Sequence, residues 1–417
     1  MNLTTAVILV ALSVAFGLIP LFLTGRFRKQ VKELRSILYP RPRGRVAVIL
    51  PCKGIDPGFR DNLRAFFDQD YPSLELVFSV ATADDPACAE IDAVMEEYAG
   101  RVKAYRMVAG IENVRAQKIT NLLSAVKWLG ASADILVFAD SDLRPDSGFV
   151  RRLVAPLVLP QVGATTGYRW YAPQDTRLGS ILRSTWNAGA LPFVSDSKHN
   201  FCFGGAMAIR KNVYDIAGIA QAWDRALSDD LMLTVKVRGL GLETQFVPSC
   251  VAVSHEGSTL GQTIEFTNRQ SLISKIYFPP LWWGAAIGHS LGCFFVVYGL
   301  ASLLSWFIAG GTVALVGSAC LLMIPLQWVN ALWLLGAVRE ILPQLSDSLV
   351  RLKWHYMFAA SLAPFLSLIN TINSLFTNRI TWRGVQYELK SPVETIVLES
   401  LPLRELKQNP IAPLGRN

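Results

Sequence analysis

The feature that most constrains how this chain can fold is the stretch 281–336, which contains no Asp, Glu, Lys or Arg. A membrane-spanning helix needs about 20 predominantly apolar residues, so this stretch is long enough for two spans, with a break expected near Gly310-Gly311. Residues 2–25 form another apolar run, and a further apolar segment, 358–376, is interrupted by Pro364. Composition agrees, because 51% of the residues are hydrophobic and only 17% are charged, against about 25% in an average soluble protein. We therefore predict a membrane protein.

The placement of charge predicts how these segments are oriented. Basic residues follow the N-terminal run at once, namely Arg26, Arg28, Lys29, Lys32 and Arg35. Such residues favour the cytoplasmic side, and a cleaved signal peptide would carry its charges before the apolar part. We predict a retained transmembrane anchor at 1–25, with the N-terminus outside, and a basic cytoplasmic linker at 26–44.

The C-terminal half allows two topologies. A transmembrane bundle of two to three spans is predicted at 280–378. Its last part, 356–378, is either a third span or a re-entrant hairpin at Pro364. The first alternative leaves the C-terminal tail, 379–417, outside, and the second leaves it in the cytoplasm.

An α/β domain is predicted at 45–260. Its first half alternates strands with helices, which is typical of a parallel sheet. The predicted strands are 46–50, 74–81, 104–108 and 135–139, and the predicted helices are 62–69, 86–98 and 117–129. The second half is less regular, with a strand at 204–209, a helix at 231–237 and two short strands at 244–247 and 251–253. Residues 261–279 follow as an interfacial amphipathic helix, with an ordinary packing helix as the alternative.

Charge and cysteine content disfavour several other classes of protein. The net charge of +8 is attributed to basic cytoplasmic segments that face anionic lipid headgroups. Nucleic-acid binding is not indicated, because the sequence has no arginine-rich run interleaved with aromatic residues. The six cysteines form no C-x-x-C pair. That spacing favours neither a zinc site nor a disulfide framework.

The segment Asp140-Ser141-Asp142 directly follows the apolar run 135–139, which is typical of a buried strand. Ligands of open α/β sheets bind at the carboxyl ends of strands. Two aspartates spaced i, i+2 on a tight turn can direct oxygens at one hard cation, Mg²⁺ or Mn²⁺, whose remaining ligands include substrate phosphates. The pattern predicts a metal–diphosphate site. A solvated turn is the alternative.

Further candidates lie near the ends of other elements. Asp84-Asp85 follows the strand 74–81, so these carboxylates are expected in the same cleft as Asp140; helix capping is the alternative. Lys118, near the start of a helix, suits phosphate oxygens, although a surface lysine of an amphipathic helix fits the pattern too.

Asp229 and Asp230 open the helix near 231–237, where one carboxylate could take a proton from a hydroxyl group. Helix capping is the alternative, since Ser228 and Asp229 are both good capping residues. Both roles are met if Asp229 caps the helix and Asp230 faces the cleft. Gly204-Gly205 allows close backbone approach to a ligand.

Several motifs occur in an order that resembles a known family. They are Lys53-Gly54-Ile55-Asp56-Pro57; Asn62-Leu63, Phe66-Phe67 and Asp70-Tyr71-Pro72; Lys118 with Asn121-Leu122; and Trp382-Arg383-Gly384 with Tyr387 and Leu389. The chain is similar in these motifs to the ceramide glucosyltransferase family, membrane-bound inverting enzymes with a GT-A catalytic domain. The resemblance implies a Rossmann-like, nucleotide-sugar-binding α/β domain at 45–260 on the cytoplasmic side, joined to α-helical transmembrane segments.

The resemblance also implies roles for the aspartates. Asp85 matches the family's first essential aspartate, Asp140 the second, in the metal motif, and Asp230 the third, the proposed base. One motif departs from the family pattern Gln/Arg-x-x-Arg-Trp, because here Arg269 is retained but Gln270 stands at the tryptophan position. This departure indicates that the acceptor lipid can differ from ceramide.

Together these observations predict transfer of a hexose, glucose being the expected sugar, from a UDP-sugar to a hydroxyl of a membrane lipid. The acceptor would be ceramide, a ceramide-like lipid or diacylglycerol, and the enzyme a multi-pass protein of the inner (plasma) membrane. The alternatives are a processive polysaccharide synthase and a non-enzymatic transporter or scaffold. The predicted site comprises Asp230 and Asp229 for catalysis, Asp140 and Asp142 for Mg²⁺ or Mn²⁺, and Asp85, Asp84, Lys53, Lys118, Asp140 and Arg269 for the nucleotide-sugar.

Overall fold

The computed structural model describes residues 2–400, which form ten β-strands and sixteen α-helices. The strands are β1 (Val46–Cys52), β2 (Leu74–Val80), β3 (Lys103–Val108), β4 (Ile135–Ala139), β5 (Val162–Ala172), β6 (Ala206–Arg210), β7 (Glu243–His255), β8 (Arg379–Trp382), β9 (Val385–Ser391) and β10 (Glu394–Ser400). The helices up to the end of the predicted α/β domain are α1 (Leu3–Ser36), α2 (Phe59–Phe67), α3 (Ala87–Glu97), α4 (Gln117–Leu129), α5 (Phe149–Val154), α6 (Leu178–Ala188), α7 (Leu191–Val194), α8 (Lys211–Ile216), α9 (Ile219–Trp223) and α10 (Asp229–Gly239). The later helices are α11 (Leu260–Tyr277), α12 (Pro279–Ala309), α13 (Thr312–Ser318), α14 (Met323–Ile341), α15 (Ser346–Arg351) and α16 (Lys353–Phe376).

The chain divides into two compact units. One contains the N-terminal residues up to Gln30 together with 171–192 and 255–377. The other contains 31–170, 193–254 and the described part of the segment that begins at Asn378. The sequence predicted a tail from residue 379, and the described part of that tail forms a three-stranded sheet of order β10-β9-β8. Residues 401–417 of the predicted tail lie outside the described residues.

The larger sheet has seven strands in the order β3-β2-β1-β4-β6-β5-β7. The first four are parallel, as predicted, but β6 runs antiparallel to both β4 and β5. The sheet is therefore mixed: its first half is parallel as the sequence predicted, and the antiparallel strand comes from the less regular second half. Because β6 is antiparallel, its first residue, Ala206, pairs with the last residue of β4, Ala139. This pairing brings the residues before β6 next to those after β4.

The core of this unit forms around β1 and β4. All five residues of β4 are buried, and so is the run Val46–Leu50 of β1. Strands buried on both faces are continuously hydrophobic in sequence, which is why these two were identified correctly. The α/β class predicted for this part of the chain is confirmed.

Strand β7 differs from the prediction of two short strands. It is one strand, Glu243–His255, at the edge of the sheet, and it contains Pro248. Proline has no backbone N–H to donate, so it is tolerated on an edge strand, where one side of the ladder is unpaired. The prediction of two short strands was therefore wrong.

Within residues 2–400, four helical segments are long and apolar enough to cross a membrane: Leu3–Ser36, Pro279–Ala309, Thr312–Ile341 and Lys353–Phe376. The predicted break at Gly310-Gly311 is present, and both glycines have positive φ angles of 70° and 96°. The re-entrant hairpin considered at Pro364 is not formed, because α16 continues through this proline. Helices of this class tolerate proline where neighbouring groups satisfy the freed carbonyl.

Helix α1 extends beyond the predicted anchor. It does not end at residue 25 but runs through the basic segment to Ser36, because Arg, Lys, Gln and Glu are good helix formers. In helix α11 the sequence placed Ile264, Leu272 and Ile276 on one side, and of these Leu272 is buried.

Polar contacts fasten α11 to α16. The Thr267 hydroxyl donates to Asn370 Oδ1 at 3.1 Å, and Lys275 Nζ donates to the Ser374 carbonyl at 2.6 Å. Helix α11 therefore packs on a neighbouring helix, as in the alternative interpretation of this segment. A position of α11 at the membrane surface stays a prediction.

Candidate functional site

The candidate site is built around the turn that follows β4. Asp140 N–H donates to the Gly205 carbonyl at 3.2 Å, so the Gly204-Gly205 loop lies directly against the predicted metal motif. A Cβ atom on Gly205 would lie 2.6 Å from Asp140 Oδ2, and one on Gly204 would lie 2.9 Å from Asp229 Oδ2. The loop needs glycine at both positions because the carboxylates occupy the space where side chains would be.

The carboxylates of Asp140 and Asp142 converge on one guanidinium group, that of Arg169. Nη2 of Arg169 donates to Asp142 Oδ1 at 2.6 Å and to Asp140 Oδ2 at 3.1 Å, and Nη1 donates to Asp142 Oδ2 at 2.9 Å. Burial alone would raise the pKa of Asp142, but Arg169, together with Arg383 and Lys118, holds this pKa well below its usual range. Asp142 is therefore a carboxylate at any physiological pH.

Arg169 was missed by sequence reasoning, although the sequence contained a signal. It lies in β5, an eleven-residue strand in which every residue is buried. A buried arginine is rare unless it is paired with an acidic group. Residues 162–171 have a strand pattern in the sequence, so an arginine within them, in a chain with an Asp-x-Asp motif, could have been assigned to that motif.

Lys118, in the first turn of α4, is a member of the cluster rather than a surface lysine. Its Nζ lies 3.0 Å from Asp140 Oδ1 and 3.2 Å from Asp229 Oδ2, and it donates to the Gly204 carbonyl at 3.3 Å. Burial opposes its charge, yet the surrounding aspartates raise the pKa of Lys118 above its ordinary value. The lysine therefore places a permanent positive charge between two carboxylates.

Asp229 and Asp230 lie in the first turn of α10, but the helix is capped by Ser228. The side chain of Asp229 is 4% exposed and faces Lys118. Asp230 is half-buried, and its carboxylate accepts from the Gly204 N–H at 2.9 Å, from the Leu231 N–H at 2.8 Å and from the Ser228 hydroxyl. The expectation that Asp229 caps the helix was therefore wrong, because the shorter Ser228 occupies the capping position.

Asp85 fixes the loop that follows β1. One oxygen, Oδ1, accepts from the Gly54 N–H and from the Ala87 N–H, each at 2.9 Å. The residue is 3% exposed, so its contacts tie the end of β1 to the start of α3. Asp84 is exposed, and a hydrogen bond with Thr82 lowers the pKa of its carboxyl group. The two neighbouring aspartates therefore differ in environment.

The small C-terminal sheet contributes Arg383 to the same site. Its guanidinium binds Asp56 through two nitrogens, at 3.3 and 2.9 Å, and lies 3.9 Å from Asp142 Oδ2. Lys53 Nζ donates to the Arg383 carbonyl at 2.7 Å, and burial, with the nearby Arg383 charge, lowers the pKa of Lys53. Arg383 has a positive φ of 47°, a strained value that such paired contacts can maintain. The sequence motif around Trp382 indicated this region but assigned no role to Arg383.

Arg269 belongs to the other compact unit. Its guanidinium lies 5.5 Å from the centre of the Phe266 ring. Arg183 also lies over that ring, at 4.7 Å, and over Tyr171 at 4.0 Å, and it forms an ion pair with Glu256 at 2.9 Å. The predicted role of Arg269 in nucleotide-sugar binding stays a prediction.

The residues present fit a divalent cation that completes its coordination with substrate. Among residues 2–400, no group of three or more His, Cys, Asp or Glu side chains forms a ligand set. One cationic nitrogen of Arg169 is nevertheless shared by oxygens of Asp140 and Asp142, so both carboxylates already point at one position of positive charge. Mg²⁺ and related ions are commonly held by one or two carboxylates together with substrate phosphates.

Comparison with known proteins includes a family match over nearly the whole chain. The family model described as Glycosyl transferase family 21 matches residues 5–394. A ceramide glucosyltransferase of Komagataella phaffii is 31% identical over 116 residues, which are 27% of this chain and 22% of that protein. The match thus spans about a fifth of the length of this curated relative.

Two solved structures show more distant similarity. The mannosyltransferase PcManGT from Pyrobaculum calidifontis, in complex with GDP-Man and Mn²⁺, has 15% identity and a TM-score of 0.48, covering 88% of this chain and 99% of that one. Glucosyl-3-phosphoglycerate synthase from Mycobacterium tuberculosis, in complex with Mn²⁺, UDP-glucose and glycerol 3-phosphate, has 16% identity and a TM-score of 0.35, covering 58% of this chain and 81% of that one.

Proposed function

Because the chain belongs to glycosyl transferase family 21, we propose that it transfers a hexose from a UDP-sugar to a hydroxyl group of a membrane lipid, with inversion at the anomeric carbon. Glucose is the expected sugar, and ceramide, a ceramide-like lipid or diacylglycerol the expected acceptor. One observation carries the proposal. Charged groups far apart in the sequence, in the turn after β4, on α4 and on α10, converge around the Gly204-Gly205 loop. This is the arrangement that a diphosphate leaving group and an acceptor hydroxyl require.

The diphosphate side of the reaction is assigned to Asp140, Asp142 and Lys118. The two aspartates would hold Mg²⁺ or Mn²⁺, which when bound offsets the negative charge that develops on the departing UDP. Lys118 is fixed by Asp140 and Asp229, so its charge is already in position and costs little reorganisation when the diphosphate leaves.

The acceptor side is assigned to Asp230. Its carboxylate is half-buried and therefore reachable, and the Gly204 N–H and the Ser228 hydroxyl hold its orientation. It would accept the proton of the lipid hydroxyl as that oxygen attacks the sugar carbon. Asp229 is too deeply buried to meet a lipid, so its role in catalysis is to orient Lys118.

Asp85, Asp84, Lys53 and Arg269 are proposed for the remainder of the nucleotide-sugar. The hydrogen bonds of Asp85 to the backbone of Gly54 and Ala87 support a part in shaping the loop against which uridine binds. Asp84, being exposed, is available to a ribose hydroxyl.

We further propose a multi-pass protein of the inner (plasma) membrane, with the α/β domain in the cytoplasm. Four apolar helical segments and the basic residues at 26–35 support this location. An acceptor that cannot leave the bilayer requires an enzyme that stays at its surface. We propose that the chain is divided as predicted from sequence, into a transmembrane anchor (1–25), a basic linker (26–44), the catalytic domain (45–260), an interfacial helix (261–279), a transmembrane bundle (280–378) and a C-terminal tail (379–417).

Purified full-length protein with a panel of UDP-sugars and lipids, analysed by mass spectrometry, tests the proposal. We expect one sugar per lipid, whereas products with several sugars would indicate a processive polysaccharide synthase. A scaffold or transporter would give neither transfer nor UDP-sugar hydrolysis.

The base assignment has its own test. Asp230→Asn should bind UDP-sugar with nearly unchanged affinity while transfer falls by about 10²-fold or more. Asp61→Asn, at an aspartate whose side chain is 58% exposed, is the matched control and should behave as wild type. Transfer by Asp230→Asn at the wild-type rate would show that another group takes the proton.

A further inference from the structure

Arg169 is a charged group of the site to which the proposed reaction gives no role. Its side chain is 7% exposed, and its guanidinium donates hydrogen bonds to both oxygens of Asp142 and to one oxygen of Asp140. Such a group is costly to bury alone and persists only because the two carboxylates balance its charge. The two carboxylates in turn need Arg169, since adjacent carboxylates would repel each other without a cation between them.

Packing fixes Arg169 in this position. It extends from β5 in the interior of the sheet, and its Cζ lies 5.5 Å from the centre of the Phe203 ring. The Phe203 ring lies 6.1 Å from that of Tyr168 and directly precedes the Gly204-Gly205 loop. The guanidinium is thus held by an aromatic face and two carboxylates.

The oxygens that Arg169 binds are the ones proposed to ligate the divalent ion. Asp142 offers both oxygens to Arg169, and Asp140 offers Oδ2, while Lys118 takes Asp140 Oδ1. A guanidinium and a dication cannot both sit against the same lone pairs, because their charges repel strongly at contact distance in a partly buried site.

We infer that Arg169 is the resident counter-cation of the Asp140–Asp142 pair, and that a divalent cation binds these carboxylates by displacing its guanidinium. The inference rests on the proposed function for the identity of the metal ligands. It has a consequence for the order of binding. The diphosphate brings negative charge that offsets both the incoming metal and the displaced arginine, so metal and nucleotide each strengthen the binding of the other.

The experiment measures Mn²⁺ binding to full-length protein in detergent by the electron paramagnetic resonance signal of free Mn²⁺, with and without UDP. Arg169→Gln is expected to bind Mn²⁺ alone at least about tenfold more tightly than wild type, since it removes a competing unit charge at contact distance. In wild type, UDP should strengthen Mn²⁺ binding markedly, and in Arg169→Gln this strengthening should shrink.

Arg144→Gln is the matched control. It removes the same charge two residues beyond Asp142, but the Arg144 side chain is 52% exposed and pairs with Asp61 instead of the metal motif. Its Mn²⁺ affinity should stay within about twofold of wild type, because exposed charges are screened. Arg169→Lys, which keeps the charge but cannot bridge both carboxylates, should be intermediate, and it answers the question if Arg169→Gln does not fold.

Two outcomes separate the inference from the proposed function. Equal or weaker Mn²⁺ binding by folded Arg169→Gln or Arg169→Lys, with binding abolished in Asp142→Asn, overturns the role of Arg169 and leaves the metal site in place. Wild-type Mn²⁺ binding by Asp142→Asn overturns the metal site itself.

Discussion

Burial of Asp229 gives a prediction about pH that can be worked out in magnitude. The residue is 3% exposed. Burial raises the pKa of its carboxyl group from 3.8 to about 7; Lys118 opposes this shift, and the charges of Asp230 and Asp140 add to it. The folded protein therefore keeps a proton that the unfolded chain releases at much lower pH.

The direction in which stability changes with pH depends on whether the unfolded or the folded state loses its proton at lower pH. Below about pH 4 both states are protonated and Asp229 costs nothing. As pH rises towards 7 the unfolded chain ionises while the folded protein does not, so stability falls, by about 1.4 kcal/mol per pH unit. Between pH 5 and pH 8 the loss is about 2–3 kcal/mol. An asparagine at this position has no proton to release and does not contribute to this loss.

The assay is thermal unfolding in detergent with a metal chelator, at pH 5 and at pH 8. The Tm of Asp229→Asn minus that of wild type should increase by about 5 °C or more between the two pH values, taking about 2–4 °C per kcal/mol for a domain of this size. Asp61→Asn controls for the loss of one exposed carboxylate. Parallel changes of Tm in wild type and Asp229→Asn would refute the reasoning, because they would mean that Asp229 ionises alike in both states.

Further predictions concern the glycine loop and the C-terminal sheet. Gly205→Ala should lower both Tm and transfer, because its Cβ would lie 2.6 Å from Asp140 Oδ2; Gly239→Ala, with no neighbour within 4 Å, should do neither in the same melting and activity assays. Arg383→Ala should weaken UDP binding in calorimetry by removing a charge from the site. Arg383→Gly should weaken UDP binding equally, yet it should be more stable than Arg383→Ala by about 1 kcal/mol, since glycine adopts the positive φ without strain. An alanine variant as stable as the glycine variant would contradict this strain.

Much of the first half of the α/β domain could be predicted from sequence. The predicted and observed bounds of α4 agree, and those of β2 and β3 differ by one residue. These elements are short, regular and bounded by Gly, Pro or Asp, so local patterns suffice. The family resemblance was confirmed by the match over residues 5–394, and with it the assignment to glycosyltransferases. Use of Mg²⁺ or Mn²⁺, a UDP-sugar as donor and a membrane lipid as acceptor stay predictions.

The candidate site was only partly predictable. Asp140 and Lys118 were identified because each stands at the end of a strongly patterned element, and the structure places them 3.0 Å apart. The capping position of α10 was assigned to Asp229, whereas Ser228 occupies it, since neighbouring polar residues at a helix start look alike in sequence. Arg383 had no local feature that marked it as a partner of Asp142. Arg169 lies within a strand pattern in a chain with an Asp-x-Asp motif, and this signal was not used.

The sequence by itself determined that this chain has apolar helical segments of membrane-spanning length, an α/β domain, and acidic residues after a central strand. It did so because burial and chain direction impose periodicities that are visible in any short window. Only the tertiary structure decided that β6 runs antiparallel beside β4, which brings Gly205 against Asp140. It alone decided that an arginine from β5 neutralises the Asp-Ser-Asp turn. Contacts between residues distant in sequence depend on strand order and register, and the strength of a charge pair depends on the burial that this packing creates.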